Sequence, residues 1–327
     1  MEQPLSYLLD SHLFRMTLFK WLDVIGIVLW IGAIGFRLLI FSPLLKALRD
    51  PELETRLRRE ESAYTEPVLK GLLFYLIVLH LITWVHEGQM MSGKPLSALA
   101  PVLPIVLTQT HFGTIWAMKL LLLLGLFILV RIRIGARDPL LLGAGLFLCL
   151  AGSLIGHAVT HPALHGVIFS DWVHYAAVSI WIGGLLPLRR LARKGASWMD
   201  AARLAVFLRI LIGLFSKWAT LSVVLIVATG TYNAVLFLDR HWIVDFNYGQ
   251  VLSMKLLFVA ATIGMGGLSR FYILPSLRRI QVSAPFTASE IERRFFRFIT
   301  VEIVFAMMAL LLAALLTQTA PPPPLLQ

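Results

Sequence analysis

Long apolar stretches alternate with short polar ones along almost the whole chain of 327 residues. Eight of the apolar stretches are long enough to cross a bilayer as helices, which takes about 18 to 25 residues. They are centred near residues 29, 77, 123, 149, 180, 223, 260 and 308. The polar stretches between them are too short to form a soluble domain. The pattern therefore predicts an all-α polytopic membrane protein with eight transmembrane helices.

Composition and charge agree with a membrane protein and give it an orientation. Hydrophobic residues make up 58% of the chain and the mean hydropathy is +0.80, far above the needs of a soluble core. The net charge is +11, but the basic residues lie in short loops, so no nucleic-acid partner is expected. All but six of the 29 lysines and arginines fall in or beside the first, third, fifth and seventh connections. Cytoplasmic loops carry such an excess, which predicts that both termini are periplasmic.

The chain divides into three parts along these spans. Residues 1–137 hold three spans and a long basic cytoplasmic loop, and residues 138–320 hold the fourth span and the four that follow. A proline-rich tail, 321–327, is expected to be extended, because polyproline cannot continue a helix.

Two segments recur in the same order and predict two similar four-helix halves. The aligned pairs are KWLDVIGIVLWIGAIG (20–35) with DWVHYAAVSIWIGGLL (171–186), and HFGTIWAMKLLL (111–122) with NYGQVLSMKLLF (247–258). Four spans are an even number, so the halves are expected to enter the membrane in the same sense, related by an axis along the membrane normal.

All nine histidines fall on the predicted periplasmic side, which points to a one-sided cause. They are His12, His80, His86, His111, His157, His161, His165, His174 and His241. Asp23, Lys119 and Lys255 lie within about two helical turns of the same boundary. Charges inside a membrane are usually functional or paired. The repeat aligns Asp23 with His174, which predicts that this position points into a shared interior.

The segment GHAVTHPALHG (156–166) is the densest group of histidines. His157 and His161 are four residues apart, a spacing that presents two imidazoles on one helical face to a transition metal. Methionine thioethers on the same side favour Cu(I) over zinc. We therefore predict a copper site with these ligands: His157, His161, His165, His174, His80, His86, Met90 and Met91. The predicted supporting residues are Asp23, Lys119, Lys255, Met118, Met254 and Asp171.

Several stretches resemble the CopD/PcoD family of inner-membrane copper-resistance proteins. They are HYAAVSIWIGGLLPL (174–188), FSKWATLSVVLIVATGTYNAV (215–235), NYGQVLSMKLL (247–257), LSRFYILPSL (268–277) and a last span with Glu302. The likeness is close over about residues 150–322 and looser before them. It implies an eight-span protein of the bacterial inner membrane that handles copper at its periplasmic face, with a periplasmic copper-binding partner of the CopC type.

Three functional hypotheses follow. The first is a copper-binding membrane protein, a transporter of copper between periplasm and cytoplasm. The second is a b-type haem protein of electron transfer, in which His80 pairs with His157 or His174 across the fold; the Trp-Ile-Gly helix also resembles membrane haem oxidases of the HemJ type. The third is a scaffold subunit without transport. No enzyme is expected, because the chain has no phosphate loop, aspartyl-phosphate motif or nucleophile elbow.

Overall fold

The computed structural model describes residues 11–154, 164–237, 248–279 and 286–319, and nearly all of the described chain is helical. His157 and His161 lie outside the described residues. The helices are α1 (Ser11–Phe36), α2 (Ser42–Leu48), α3 (Pro51–Ser92), α4 (Leu103–Gln109), α5 (His111–Leu129), α6 (Arg137–Ser153), α7 (Leu164–Ala196), α8 (Ala201–Phe237), α9 (Tyr248–Leu268), α10 (Leu274–Arg279) and α11 (Phe286–Leu316). Two π-helical segments, Arg37–Phe41 and Ser269–Ile273, join α1 to α2 and α9 to α10. The predicted all-α architecture is confirmed.

Each predicted span coincides with one long helix among the described residues. Six stretches are long and apolar enough to cross a membrane: Leu13–Leu48, Pro51–Ser92, His111–Leu129, Ala201–Leu236, Tyr248–Leu277 and Glu292–Leu316. The other two predicted spans correspond to α6, which has 17 residues, and α7, which has 33. A membrane protein with several spanning helices is therefore established, and the number eight stays a prediction.

Local sequence signals explain where two of the first-half helices begin. At α3, the Asp50 side chain accepts a hydrogen bond from the Leu53 amide at 3.0 Å, and Pro51 occupies the first turn. At α5, the Thr110 hydroxyl accepts one from the Gly113 amide at 2.9 Å. Both caps satisfy backbone donors that a helix start leaves without partners.

The centre of the molecule is the crossing of α1 and α7 at two glycines that the repeat aligns. A Cβ atom on Gly32 would lie 2.1 Å from the carbonyl carbon of Gly183, and one on Gly183 would lie 2.0 Å from the Val28 carbonyl oxygen. The two backbones are thus in direct contact, as at small-residue crossings of membrane helices. Any larger side chain at either position would push the halves apart.

Three pairs of corresponding helices pack together in both parts of the chain. In the first half (α1, α3, α5 and α6), α1 packs on α3 and α6, and α5 packs on α6. In the second half (α7, α8, α9 and α11), α7 packs on α8 and α11, and α9 packs on α11. The halves also exchange contacts, because α1 packs on α11 and α7 packs on α6. The positions aligned in sequence therefore occupy matching places in the packing.

One end of the bundle, here called the Arg-rich end, is held by buried ion pairs. Arg37 contacts Glu61 at 2.8 Å, Glu66 at 3.0 Å and Asp138 at 3.2 Å, and Arg137 contacts Glu66 at 2.6 Å. These bonds join the π-helical end of α1 to α3 and α6. The opposite end carries the described histidines of the predicted site and is here called the His-rich end.

Candidate functional site

A buried ion pair anchors the first half towards the His-rich end. The Lys119 Nζ atom on α5 lies 3.1 Å from Asp23 Oδ2 and 3.3 Å from Oδ1 on α1, and the side chains are 7% and 21% exposed. On the neighbouring helix α3, the Tyr75 hydroxyl donates to the Leu22 carbonyl at 2.8 Å. The predicted intramembrane charges of the first half are therefore paired with each other.

His80 is buried beside this ion pair and is bound to α5 in two ways. Its Nε2 atom lies 2.8 Å from the Trp116 carbonyl, and the Trp116 indole N–H donates to the His80 carbonyl at 2.9 Å. The two rings are stacked with centroids 4.6 Å apart. A carbonyl oxygen only accepts hydrogen bonds, so His80 carries its proton on Nε2 and keeps its lone pair on Nδ1.

The second half places His174 of α7 against Thr229 of α8. The His174 Nδ1 atom lies 2.9 Å from the Thr229 hydroxyl oxygen, and that hydroxyl donates to the Leu225 carbonyl at 2.6 Å. Its one hydrogen is used in that bond, so the hydroxyl accepts from Nδ1–H. The ring is also held by a hydrogen bond with the Ile226 backbone. With its proton on Nδ1, His174 keeps its lone pair on Nε2, the form in which imidazole binds a metal.

Charged groups of the two halves interact electrostatically across the interface between α1 and α7, and they are here called the charged row: Lys20, Asp23, Lys119, Asp171 and Lys255. Lys20 interacts electrostatically with Asp23 of its own half and with Asp171 of the other. Lys255 on α9 interacts with Asp171 and also with His174. The repeat aligns Lys20 with Asp171, so two aligned positions of opposite charge interact where the halves meet.

The family models match most of the chain. The model described as copper resistance protein D matches residues 209–316, and the one described as copper resistance protein D-like, N-terminal domain, matches residues 13–167. The chain belongs to the CopD family.

Other comparisons add a relative of this CopD chain but no experimental template. The inner membrane protein YebZ of Escherichia coli (strain K12) is 26% identical over 199 residues, which are 59% of this chain and 66% of that protein. The match thus spans slightly less than two thirds of that relative. No solved structure matches the chain.

The remaining predicted ligands of this CopD protein lie near the surface of the described part. Met90 and Met91 are 37% and 49% exposed near the end of α3. His86 is half-buried, with its ring 5.0 Å from that of Phe19, and His165 is exposed. Met118 and Met254 are 43% and 53% exposed on α5 and α9.

Among the described residues, no three His, Cys, Asp or Glu side chains come close enough together to hold a metal ion. The supporting residues Asp23 and Lys119 form an ion pair, and Lys255 interacts electrostatically with the supporting residue Asp171 and with the predicted ligand His174. The described residues do not bring the predicted ligands together into one cluster.

Three residues of the site were not predicted from the sequence. Trp116 and Thr229 fix the protons of His80 and His174, and Lys20 links the two aspartates of the row. Nothing in a single sequence marks a threonine on another helix as the partner of a histidine. Lys20 carries a usable signal, because it aligns with Asp171 in the repeat.

Proposed function

We propose that this CopD protein is a multi-pass protein of the bacterial inner membrane that moves copper between periplasm and cytoplasm as part of copper homeostasis, with both termini periplasmic. Family membership supports the link to copper resistance. The location is supported by the apolar helices and by the similarity to YebZ, an inner membrane protein of E. coli. The excess of basic residues at one end supports the orientation.

The observation that carries this proposal is the fixed proton of His174. A metal-binding imidazole needs a bare nitrogen, and its other nitrogen is normally held by a hydrogen bond that orients the ring. Thr229 supplies that bond to Nδ1 at 2.9 Å, which leaves Nε2 as the ligand atom. In the first half, the Trp116 carbonyl holds the proton of His80 on Nε2, which leaves Nδ1 as the nitrogen that can bind a metal.

In the proposed site, His174 and His80 are the ligands nearest the interface between the halves. His86, Met90, Met91 and His165 of the His-rich end, with His157 and His161, form the path by which copper arrives. Imidazole and thioether ligands suit Cu(I), which is the proposed cargo. The donor in the periplasm is a copper-binding protein of the CopC type.

The charged row positions these ligands, and its two aspartates offset two of the three lysine charges that would repel a cation. Lys119 is neutralised by Asp23 at 3.1 Å, and Asp171 interacts with both Lys20 and Lys255. Because the row crosses from α1 to α7, a shift of one half against the other would change its pairing. That shift is the proposed transport step.

Copper accumulation in cells tests the proposal. Cells that express the protein are grown with added copper, and His174→Ala is expected to lower their copper content to that of cells without the protein. His111→Ala is the matched control, because His111 is exposed and contacts the Leu154 carbonyl at 3.1 Å. The double variant His157→Ala, His161→Ala tests the arrival path. Wild-type accumulation by His174→Ala would refute the site.

Two measurements on the purified protein separate the other hypotheses. A Soret band in the visible spectrum would show that the protein binds haem b and would favour the electron-transfer hypothesis over copper transport. Metal analysis after washing, with no copper retained at any added concentration, would favour a scaffold role.

A further inference from the structure

Glu302 is a carboxyl group buried inside the second half. Its residue is 3% exposed on α11, which packs against α7 and α9. The Trp181 indole N–H on α7 donates to Glu302 Oε1 at 3.1 Å. On α9, a Cβ atom at Gly266 would lie 3.1 Å from the same oxygen, so the glycine leaves the carboxyl group the space that it occupies.

Within the described residues, the structure gives Glu302 no cationic partner, and its one polar contact is the Trp181 indole. Several titratable side chains on the helices that pack against α11 interact with other groups. These pairs are Lys255 with Asp171, His174 with Thr229, Arg270 with Ser216 and Thr220, Asp23 with Lys119, and Arg37 with Glu61. None of them forms an ion pair with Glu302.

The fold does not need a carboxyl group at this position. In the first half the aligned tryptophan, Trp30, donates its indole N–H to the Leu141 backbone carbonyl at 3.2 Å. A carbonyl is thus sufficient to satisfy that buried donor. An ionisable group inside a membrane is costly and is commonly part of an ion or proton pathway.

Glu302 also lies on the way from the His-rich end to the Arg-rich end. Trp181 follows His174 by seven residues, so it lies on the same face of α7, about 10 Å further along the helix axis. A carboxyl group without a cation in such surroundings takes up a proton and becomes neutral, and it releases the proton when water or a cation reaches it.

We propose that Glu302 is a proton-binding site that couples the movement of copper across the membrane to the movement of protons. This inference rests on the proposed function. In each cycle the carboxyl group binds one proton from one side of the membrane and releases it to the other as the halves shift. No bond other than that to the proton forms or breaks.

Purified protein in liposomes tests the coupling, with Cu(I) held reduced by ascorbate as the probe. Copper entry is measured with and without a pH gradient, and a trapped pH dye reports proton movement. In wild type, copper entry is expected to depend on the pH gradient and to be accompanied by proton movement. In Glu302→Gln, copper entry is expected to be independent of the gradient, and no accompanying proton movement is expected. Glu292→Gln, on the same helix, is the matched control and is expected to behave as wild type. Unchanged coupling in Glu302→Gln would overturn the proposal.

Infrared difference spectra on a pH change give a readout that does not need transport. Wild type is expected to show the band of a protonated carboxyl group that Glu302→Gln lacks and that Trp181→Phe shifts. Identical spectra of wild type and Glu302→Gln would overturn the proton site. If the band is present but wild type moves no copper, the proton site stands and the transport function fails.

Discussion

The two halves use the same positions for different chemistry. In the first half, Asp23 of α1 forms a buried ion pair with Lys119 of α5. In the second half the aligned residue, His174 of α7, is held by a threonine, and the aligned lysine, Lys255, interacts with Asp171. At these aligned positions the first half therefore has an ion pair, while the second half has an imidazole with one nitrogen free to bind a metal.

The tryptophans of the repeat show the same division. Trp30 bonds a backbone carbonyl of α6, and Trp181 bonds the Glu302 carboxyl group of α11. The glycines at the crossing, Gly32 and Gly183, are by contrast the same in both halves because the contact requires small residues. The halves thus share the small residues at the crossing, and they differ in the polar partners of the other aligned residues.

Removal of the first-half ion pair is the strongest test of this difference. Asp23→Leu leaves the Lys119 ammonium buried without a counter-ion, which is expected to lower the free energy of unfolding by about 3–5 kcal/mol. The double variant Asp23→Leu, Lys119→Met removes both charges and is expected to recover most of the loss. Denaturant titration in mixed micelles measures both.

An exposed pair serves as the control for that cycle. Glu54 and Arg58 are in contact at 2.7 Å, but their side chains are 39% and 60% exposed. Glu54→Gln is expected to cost less than about 1 kcal/mol. If Asp23→Leu lowered the free energy of unfolding no more than Glu54→Gln does, the Asp23–Lys119 ion pair would not be a buried pair that stabilises the first half.

The hydroxyl that orients His174 gives the next largest effect. Thr229→Val removes the hydroxyl that accepts from Nδ1–H and leaves the Ile226 backbone to hold the imidazole, so copper affinity is expected to fall about 10-fold. The matched control is Thr262→Val, because Thr262 is buried and its hydroxyl donates only to the Phe258 carbonyl at 2.7 Å. Competition with a copper chelator measures the affinity of both variants. Equal copper affinities of the Thr229 and Thr262 variants would contradict the role of His174 as a copper ligand.

The helices could be predicted from the sequence, because their signal is the apolar run itself. A run of about 20 apolar residues has few alternatives to a membrane helix. The crossing at Gly32 and Gly183 was implicit in the repeated Trp-Ile-Gly triplet, although nothing in the triplet says that the two copies touch each other.

The candidate site could be predicted only in part. The exceptional residues Asp23, Lys119 and His174 stand out against an apolar background, and the structure gives each of them a polar partner. Their partners Trp116 and Thr229 are ordinary membrane-helix residues, and their roles depend on the rotation of one helix against another. A periodic pattern within one helix contains no such information. Glu302 is visible in the sequence, but its burial beside Trp181 is not.

The smallest effect is expected from the methionines beside the repeated lysines, and it tests whether the site lies between the halves. Met118 and Met254 are 43% and 53% exposed on α5 and α9. Met and Leu have similar volumes, and exposed substitutions usually change stability by less than about 0.5 kcal/mol. The double variant Met118→Leu, Met254→Leu is therefore expected to keep wild-type stability and copper accumulation. A clear loss of accumulation at normal protein levels would mean that copper travels along the outer faces of α5 and α9, and the interface between the halves would no longer be the path.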